Sequence, residues 1–268
     1  MADLPLLLFT LLLQAAAGTA LGLVLLGGRG ALPAAPGWGL VAGLAVLGLA
    51  ASLAHLEAAG RAWRAASNWK RSWLSREVLV AGAFTLAAAG SWVPGGQAPW
   101  LRGLATVLGL ALVPCMARVY RLEAVPAWNT PVTPWTFLAT TLLLGAVACG
   151  ALALAVPGPA RAQEAWRSLA VAVVVLSAAQ AGLAAIWLVR APAEVRAGIL
   201  AAGPGLLTAR LALAGLGAGA AALALAVPEG AATPLRAGAL AAAAAGEILG
   251  RMLFYAGRVA RGVYRFPG

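Results

Sequence analysis

Eight long apolar runs constrain the fold of this chain more than any other feature of its sequence. Hydrophobic residues make up 62% of the 268 residues, whereas charged residues make up 10%. A soluble domain has roughly 25% charged residues, so this chain lacks the polar surface of a water-soluble fold. Each run has about the 20 residues that a helix needs to cross a bilayer. The sequence therefore predicts an all-α integral membrane protein with eight transmembrane helices.

Short breaks rich in Gly, Pro and Trp separate the expected helices. Connections other than 56–76 and 121–133 are short, so we expect neighbouring helices to form an antiparallel bundle. No stretch fits a soluble domain, and residues 1–268 are expected to form a single transmembrane domain. The approximate spans are 4–26, 38–56, 77–94, 99–120, 134–156, 165–189, 206–227 and 234–257.

The basic residues are divided unevenly between the two sides of the expected membrane. Eight crossings place both termini on one side, where twelve Lys and Arg residues fall, against five on the other side. Cytoplasmic loops carry such an excess, which predicts that both termini and the 56–76 loop are cytoplasmic. The net charge of +11 is thereby explained as a topology signal at the ends of apolar segments, and no nucleic-acid partner is expected.

The stretch from His55 to Glu77 contains most of the candidate functional residues of the protein. His55 is the sole histidine; it ends the second expected crossing, and Glu77 opens the third at the same interface. Oxidation of a quinol needs an acceptor that titrates near neutral pH and a second group that removes a proton, which suits imidazole and carboxylate. The alternatives are a helix-capping role for His55 and a helix-start carboxylate for Glu77, favoured there by the helix dipole. Five basic residues lie between them: Arg61, Arg64, Lys70, Arg71 and Arg76.

The supply of metal ligands is small. A membrane haem b is usually held by two histidines, and an iron–sulfur cluster by four thiolates, whereas this chain has one histidine and two cysteines. Cys115 and Cys149 lie apart in apolar surroundings, where they are expected to be small buried hydrophobes. We therefore expect this chain to bind no haem and no metal by itself.

Two further stretches bear on a site. Three prolines exclude a continuous helix through residues 118–135, on the same side as the 56–76 loop. Tyr120 and Trp128 in that stretch, together with Trp73, are candidates for the walls of a pocket for a flat apolar ligand. In the last span, Glu247 and Arg251 are four residues apart on one helix face, so they are expected to pair, as a structural ion pair or a proton relay.

Three groups of residues form distinctive motifs. The first is His55-Leu56 with Arg61-Ala62, Asn68 and SWLSRE at 72–77. The second is CMARVY at 115–120 with PAWNTP at 126–131, and the third is Gly250-Arg251 with LFYAGR at 253–258. These motifs resemble those of the DmsC family, the membrane anchor subunits of dimethyl sulfoxide reductase-type molybdoenzymes. The resemblance extends over most of the sequence and agrees with the count of eight helices.

This resemblance implies a haem-free, non-catalytic subunit of the bacterial inner membrane that binds menaquinol. It implies electron transfer to a four-cluster, ferredoxin-like iron–sulfur subunit and onward to a molybdopterin catalytic subunit. It also implies quinol-site roles for His55 and Glu77. The family usually reads His-Leu-Gly-x-Pro, whereas this chain places Glu57 after Leu56, which adds a second carboxylate to the expected pocket. The five basic residues between His55 and Glu77 are expected to dock the partner or to contact lipid headgroups.

Two other functions are compatible with the composition. A secondary transporter often shows inverted repeats and broken helices with polar groups at mid-membrane, whereas the polar residues here concentrate at one interface. A purely structural membrane anchor is the second alternative, and binding of a quinone analogue would separate it from a quinol-binding subunit.

Overall fold

The computed structural model describes residues 4–27, 30–54, 67–93, 99–155, 161–193, 195–197 and 204–257. Eight α-helices make up most of these ranges, which contain no strand, and a π-helical turn at Leu23–Gly27 extends the first helix. The predicted all-α membrane fold is confirmed. The helices are α1 (Leu4–Gly22), α2 (Ala34–Ala54), α3 (Trp73–Trp92), α4 (Pro99–Tyr120), α5 (Val132–Ala155), α6 (Arg161–Arg190), α7 (Pro204–Ala226) and α8 (Glu229–Ala256).

Seven of the helices in the described ranges are long and apolar enough to cross a membrane, and α3 is not among them. Its first turns carry Ser75, Arg76 and Glu77, whose polar side chains lower the mean hydropathy of a helix of only 20 residues. The protein is therefore a multi-pass membrane protein. An eighth crossing by α3 and the antiparallel direction of neighbouring helices stay predictions.

Four helices begin four or five residues before the apolar spans expected from the sequence. They start at 34 rather than 38, at 73 rather than 77, at 161 rather than 165 and at 229 rather than 234. Three of these extensions contain charged residues. A helix satisfies its own backbone hydrogen bonds, so it can continue through the interface, where charged side chains reach water. The apolar run therefore marks the hydrocarbon-spanning part of a helix and not its whole length.

Helix α1 lies at the centre of the bundle, where it packs against α2, α4, α5 and α8. Its closest approach is to α5, at Gly18 and Gly145. A Cβ atom placed on Gly145 would lie 2.3 Å from the carbonyl carbon of Gly18 and 2.6 Å from its Cα atom. Glycines that allow such backbone contact are typical of helix interfaces inside lipid. This contact holds α1 where Gln14, one turn earlier, reaches α5.

One end of the bundle brings together helix ends that are far apart in sequence. The last residue of α4, Tyr120, lies 2.7 Å from Tyr255 at the end of α8, measured between hydroxyl oxygens. The Tyr255 hydroxyl is also 3.4 Å from the Leu6 carbonyl oxygen near the start of α1. The guanidinium of Arg118 lies 5.5 Å from the ring centre of Trp73, the first residue of α3. We call this region the Tyr120 end of the bundle.

Candidate functional site

The start of α3 is fixed to the segment before it. Ser72 caps the helix, and its hydroxyl accepts a hydrogen bond from the backbone N–H of Ser75 at 3.3 Å. The Arg76 guanidinium donates hydrogen bonds to the carbonyl oxygens of Trp69 and Lys70, both at 2.9 Å. Residues 69–72 are therefore tied to the first turn of α3, which also carries Glu77.

Glu77 faces the interior of the bundle. Its side chain is 3% exposed, and α3 packs there against α2 and α4. Its Oε1 atom has no hydrogen-bond partner among the described residues. The charge of Glu77 acts on Cys115 and on the Tyr120 hydroxyl, both on α4. A buried carboxylate oxygen without a partner is costly, so this position needs an explanation.

Trp73 lies above Glu77 at the surface of the Tyr120 end. The ring is 39% exposed, and the guanidinium groups of Arg76 and Arg118 lie 4.3 Å and 5.5 Å from the ring centre. Such cation–π contacts connect the first turn of α3 to the last turn of α4. Lys70 and Arg71 are exposed beside it. The structure therefore places Trp73 at the rim of the region around Glu77.

Tyr120 and Trp128 belong to a buried aromatic cluster. The Trp128 ring is stacked on Phe254 at 5.3 Å between centres, and its Nε1–H donates to the Phe254 carbonyl oxygen at 2.7 Å. Tyr120 contacts the edges of Trp128, Phe254 and Tyr255 at 5.4 to 5.8 Å, and lies 5.5 Å from Phe137. The cluster fixes the irregular segment 121–131 onto α8.

A group of polar side chains inside the bundle connects α1, α5 and α8. The Gln14 amide donates to the Phe137 carbonyl oxygen at 2.7 Å and to the Thr141 hydroxyl at 3.2 Å. Its own carbonyl oxygen accepts a hydrogen bond from the Arg251 guanidinium. Arg251 also lies 4.0 Å from the centre of the Phe137 ring. This arginine is therefore held by a neutral amide and an aromatic face.

A second polar group connects α5, α6, α7 and α8. The Gln180 amide donates to the Thr140 hydroxyl at 2.7 Å and to Glu247 Oε2 at 2.9 Å. Arg210 donates to the Gln180 carbonyl oxygen at 3.4 Å and lines a cavity of about 30 Å³ beside Gly250. The expected pairing of Glu247 with Arg251 is therefore wrong. Although four residues apart, the two side chains reach different neighbouring helices and take amide partners there.

The structure brings together only part of the predicted site. Glu77, Trp73 and Tyr120 meet at the Tyr120 end, with Trp128 in the adjoining aromatic cluster and Arg76 beside Trp73. His55, Glu57, Arg61 and Arg64 lie outside the described residues. Within the described ranges, no three His, Cys, Asp or Glu side chains come close enough to hold a metal ion. The absence of a resident cofactor stays a prediction.

Sequence reasoning missed several buried polar residues. Gln14, Gln180, Arg210 and Tyr255 all form hydrogen bonds within the bundle and were not singled out as interior groups. A signal for three of them was present, because amide or charged side chains inside apolar spans are expensive and usually face other helices. The partners of these three residues, 30 to 237 residues away in sequence, had no such signal.

The fold and the site define a multi-pass helical membrane protein whose candidate chemistry lies at one end of the bundle. Residues 1–257 match the family described as the DMSO reductase anchor subunit, DmsC. Because this match covers nearly the whole sequence, the protein belongs to the DmsC family of membrane anchor subunits. The resemblance noted in the sequence is therefore confirmed.

Two individual relatives are similar over shorter stretches. The C subunit of sulfite dehydrogenase from Allochromatium vinosum is 37% identical over 114 residues, which are 35% of this chain and 35% of that protein. The C polypeptide of anaerobic dimethyl sulfoxide reductase from Haemophilus influenzae is 29% identical over 111 residues, 38% of this chain and 40% of that protein. The matched stretch spans well under half the length of either relative.

Proposed function

We propose that this anchor subunit binds a quinol, menaquinol by the family resemblance, at the Tyr120 end of the bundle. The observation that carries the proposal is Glu77, a buried carboxylate whose Oε1 has no partner among the described residues. An inward-facing acceptor at the membrane interface suits a ligand that must deliver protons there. In the sequence His55 comes directly after α2, and α2 packs against α3, the helix that carries Glu77.

The proposed reaction is the oxidation of a quinol to a quinone, with release of two protons and two electrons. His55 accepts a hydrogen bond from one quinol hydroxyl, and Glu77 takes a proton and passes it towards water. Glu57 is a second carboxylate for that transfer. The two electrons leave one at a time to an iron–sulfur cluster of a four-cluster, ferredoxin-like partner subunit. That subunit passes them to a molybdopterin catalytic subunit, so this chain itself carries no redox centre.

The partner is proposed to dock over the basic side of the Tyr120 end, close to where the electrons are released. Lys70 and Arg71 are exposed there, and Arg76 fixes the backbone that presents them. Arg61 and Arg64 precede them in the same loop. Exposed cations favour an acidic partner surface and steer its approach. We place this end on the cytoplasmic side of the bacterial inner membrane, following the excess of basic residues.

The test of the quinol site compares two ways of driving the assembled complex. Turnover driven by a quinol needs this subunit, whereas turnover driven by an artificial donor feeds the partner subunits directly. His55→Ala should lower quinol-driven turnover by about 10²- to 10⁴-fold, because loss of a general base typically has that effect. Glu77→Gln should slow the same reaction and change its pH dependence. Both variants should retain turnover with the artificial donor.

Glu123→Gln is the matched control, because Glu123 is an exposed carboxylate in the 121–131 segment at the same end. It should leave both reactions unchanged. If His55→Ala and Glu77→Gln leave quinol-driven turnover unchanged, or lower both reactions equally, the quinol site is not where we place it.

Docking is tested by amine-specific crosslinking, because Lys70 is the sole lysine of the sequence. The complete complex should give a crosslink between this protein and the iron–sulfur subunit that disappears in Lys70→Arg, which keeps the charge but removes the amine. If no crosslink to the iron–sulfur subunit depends on Lys70, docking at this loop is contradicted.

A further inference from the structure

A groove opens between α1 and α6 on the outer surface of the bundle. Both helices pack against α5, which forms the floor of the groove between them. The floor residues follow the spacing of one helix face: Leu142, Gly145, Ala146 and Cys149. The groove has a volume of about 450 Å³, and apart from Ser168 and the Cys149 thiol its lining residues are aliphatic or glycine. We call it the α1–α6 groove.

Glycines give the α1–α6 groove its depth. Helix α1 presents Gly22 to it, and α5 presents Gly145. Because no side chain rises from these positions, the contact between α1 and α5 lies below the larger side chains on either side. Those side chains form the rims, where Leu25, Val171 and Val175 are each more than half exposed. The groove is therefore open to the lipid along its length.

The α1–α6 groove lies in the half of the bundle away from the Tyr120 end. Leu6 near the start of α1 and Trp187 near the end of α6 both form hydrogen bonds at that end. The groove instead uses residues 18–26 of α1 and residues 168–176 of α6. Nine helical residues cover about 12 Å, and half of a hydrocarbon core is about 15 Å thick. The groove therefore spans most of the depth of one leaflet, on the side opposite the proposed quinol site.

The width of the groove limits what can occupy it. A volume of about 450 Å³ over a length of about 12 Å gives a mean cross-section of about 40 Å². A helix with its side chains is about 10–12 Å across, which is a cross-section of at least about 80 Å². The groove is therefore too narrow to seat a transmembrane helix of a partner or of a second copy. A hydrocarbon chain, which has no side chains, fits.

A cation lies at the end of the groove nearest the membrane surface. Arg167 is exposed, and it lies one turn before Val171 and next to Ser168, so it shares the outward face of α6 with the groove lining. The apolar part of α6 begins at Ala165, which places Arg167 at the depth of the lipid headgroups. Its Cα–Cβ bond tilts towards the start of α6, so its long side chain can extend to the surface.

The charge of Arg167 is not neutralised by a described carboxylate. The ion pair that the described residues do form near this end joins Arg236 to Glu229, and it uses both oxygens of that carboxylate. Arg236 lies 5.2 Å from the ring centre of Trp166, the residue before Arg167. An apolar groove of one leaflet's depth with an exposed cation at its headgroup end is complementary to an anionic amphiphile.

We propose that the α1–α6 groove binds one anionic phospholipid, with an acyl chain along α5 and the phosphate at Arg167. The chain fills the space above Gly145 and so packs over the contact between α1 and α5. The lipid therefore stabilises the folded subunit. This site and the proposed quinol site lie at opposite ends of the bundle, so neither depends on the other.

The experiment adds phosphatidylglycerol or phosphatidylcholine, with the same acyl chains, to the purified and delipidated subunit in detergent. Native mass spectrometry counts the retained lipid, and thermal unfolding measures its effect. Phosphatidylglycerol should be retained at one molecule per subunit and should raise the melting temperature, because a ligand of the folded state stabilises it. Phosphatidylcholine should be retained less and should raise it less. If the two lipids behave alike, the headgroup is not recognised and the proposal is wrong.

Two variants with matched controls on the same helix locate the site. Arg167→Gln should weaken phosphatidylglycerol binding by about 5-fold, the effect of one cation near an anionic headgroup, and Arg167→Lys should keep most of the affinity. Arg190→Gln removes an exposed cation at the other end of α6 and should change nothing. Ala172→Phe fills the groove and should abolish retention of the lipid, whereas Ala185→Phe, on an exposed position of α6 outside the groove, should not. Equal effects of Arg167→Gln and Arg190→Gln would refute a site at this groove.

Two further measurements test other occupants of the groove. The complete complex should retain the same phosphatidylglycerol as the isolated subunit; if it retains none, a partner subunit covers the groove and the proposal is wrong. Added menaquinone should not displace the lipid; if it does, the groove takes a quinone instead. If Ala172→Phe fails to fold, the comparison of Arg167→Gln with Arg190→Gln decides alone, because both residues are exposed.

Discussion

Replacing Gly145 with alanine should push α1 and α5 apart. The new Cβ atom would lie 2.3 Å from the Gly18 carbonyl carbon and 2.6 Å from the Gly18 carbonyl oxygen. Carbon atoms in contact normally lie about 3.5–4.0 Å apart, so the two helices must separate by about 1 Å or more. The atoms on both sides are backbone, which cannot rotate away as a side chain would.

The expected loss of stability follows from this geometry. Overpacking typically costs about 1–3 kcal/mol, and a backbone clash belongs at the upper end of that range. The separation would also stretch the hydrogen bonds from Gln14 to the Phe137 carbonyl oxygen and to Thr141. We therefore expect Gly145→Ala to lower the free energy of unfolding by about 3 kcal/mol. The measurement is a titration of the purified subunit from a mild detergent into sodium dodecyl sulfate, followed by circular dichroism or tryptophan fluorescence.

Gly182→Ala is the matched control for this experiment. Gly182 lies in α6, and a Cβ atom there would meet nothing within 4 Å. Alanine is favoured over glycine in a helix by about 1 kcal/mol, so this variant should be as stable as the unchanged protein or slightly more stable. The reasoning is refuted if Gly145→Ala unfolds together with the unchanged protein, or if Gly182→Ala is destabilised to the same extent.

Two further predictions concern other polar contacts. Gly250→Ala should displace the guanidinium of Arg210, because its Cβ would lie 2.7 Å from it. It should lower the unfolding free energy by less than Gly145→Ala in the same titration, because the far end of a flexible side chain moves more easily than backbone. Gly246→Ala, with its nearest atoms at 3.7 Å, should cause no such displacement. Outside the membrane-spanning part, two hydrogen bonds from Arg236 lower the pKa of Glu229 below its ordinary value of 4.5. Ionised Glu229 therefore stabilises the protein fully above pH 4.5, and this stabilisation is lost as the pH falls through the lowered pKa. Between about pH 6 and pH 3, the melting temperature of the unchanged protein should therefore fall more than that of Glu229→Gln.

The class of fold could be predicted from the sequence because it depends on composition and on the length of apolar runs. These are local properties, and lipid permits few folds for such a sequence. Helix starts were less predictable, since α3 and α8 continue into polar residues such as Arg76 and Glu229 at the interface. Hydropathy therefore located the helices within a few residues but could not give their full extent.

The partners of buried groups could not be predicted from spacing. Glu247 and Arg251 share a helix face, which is enough to suggest an ion pair. In the structure, Glu247 instead forms a hydrogen bond with Gln180, and Arg251 forms one with Gln14. The choice depends on which helices pack against each side of α8, a tertiary property without a signature in the last span. The candidate site at Glu77 stays a prediction, which the sequence suggested because its residues lie at the ends of two apolar runs joined by a distinctive stretch.

The described interior of this protein contains two buried arginines and two buried glutamates, Arg210, Arg251, Glu77 and Glu247. These arginines and glutamates are equal in number, yet they form no direct ion pairs with one another in the described structure. Arg210, Arg251 and Glu247 each hydrogen-bond to a glutamine amide instead. A neutral amide offers a donor and an acceptor to charges on different helices, so it fixes them without bringing them into contact. Glu77 differs, because its Oε1 lacks a partner in the described part of the protein. A buried polar atom without a hydrogen-bond partner destabilises the folded protein. A ligand that supplies the missing partner is one reason for a protein to keep such an atom. Arg210, Arg251 and Glu247 thus contribute to the cohesion of the bundle, and Glu77 is the buried group that we propose to meet a quinol.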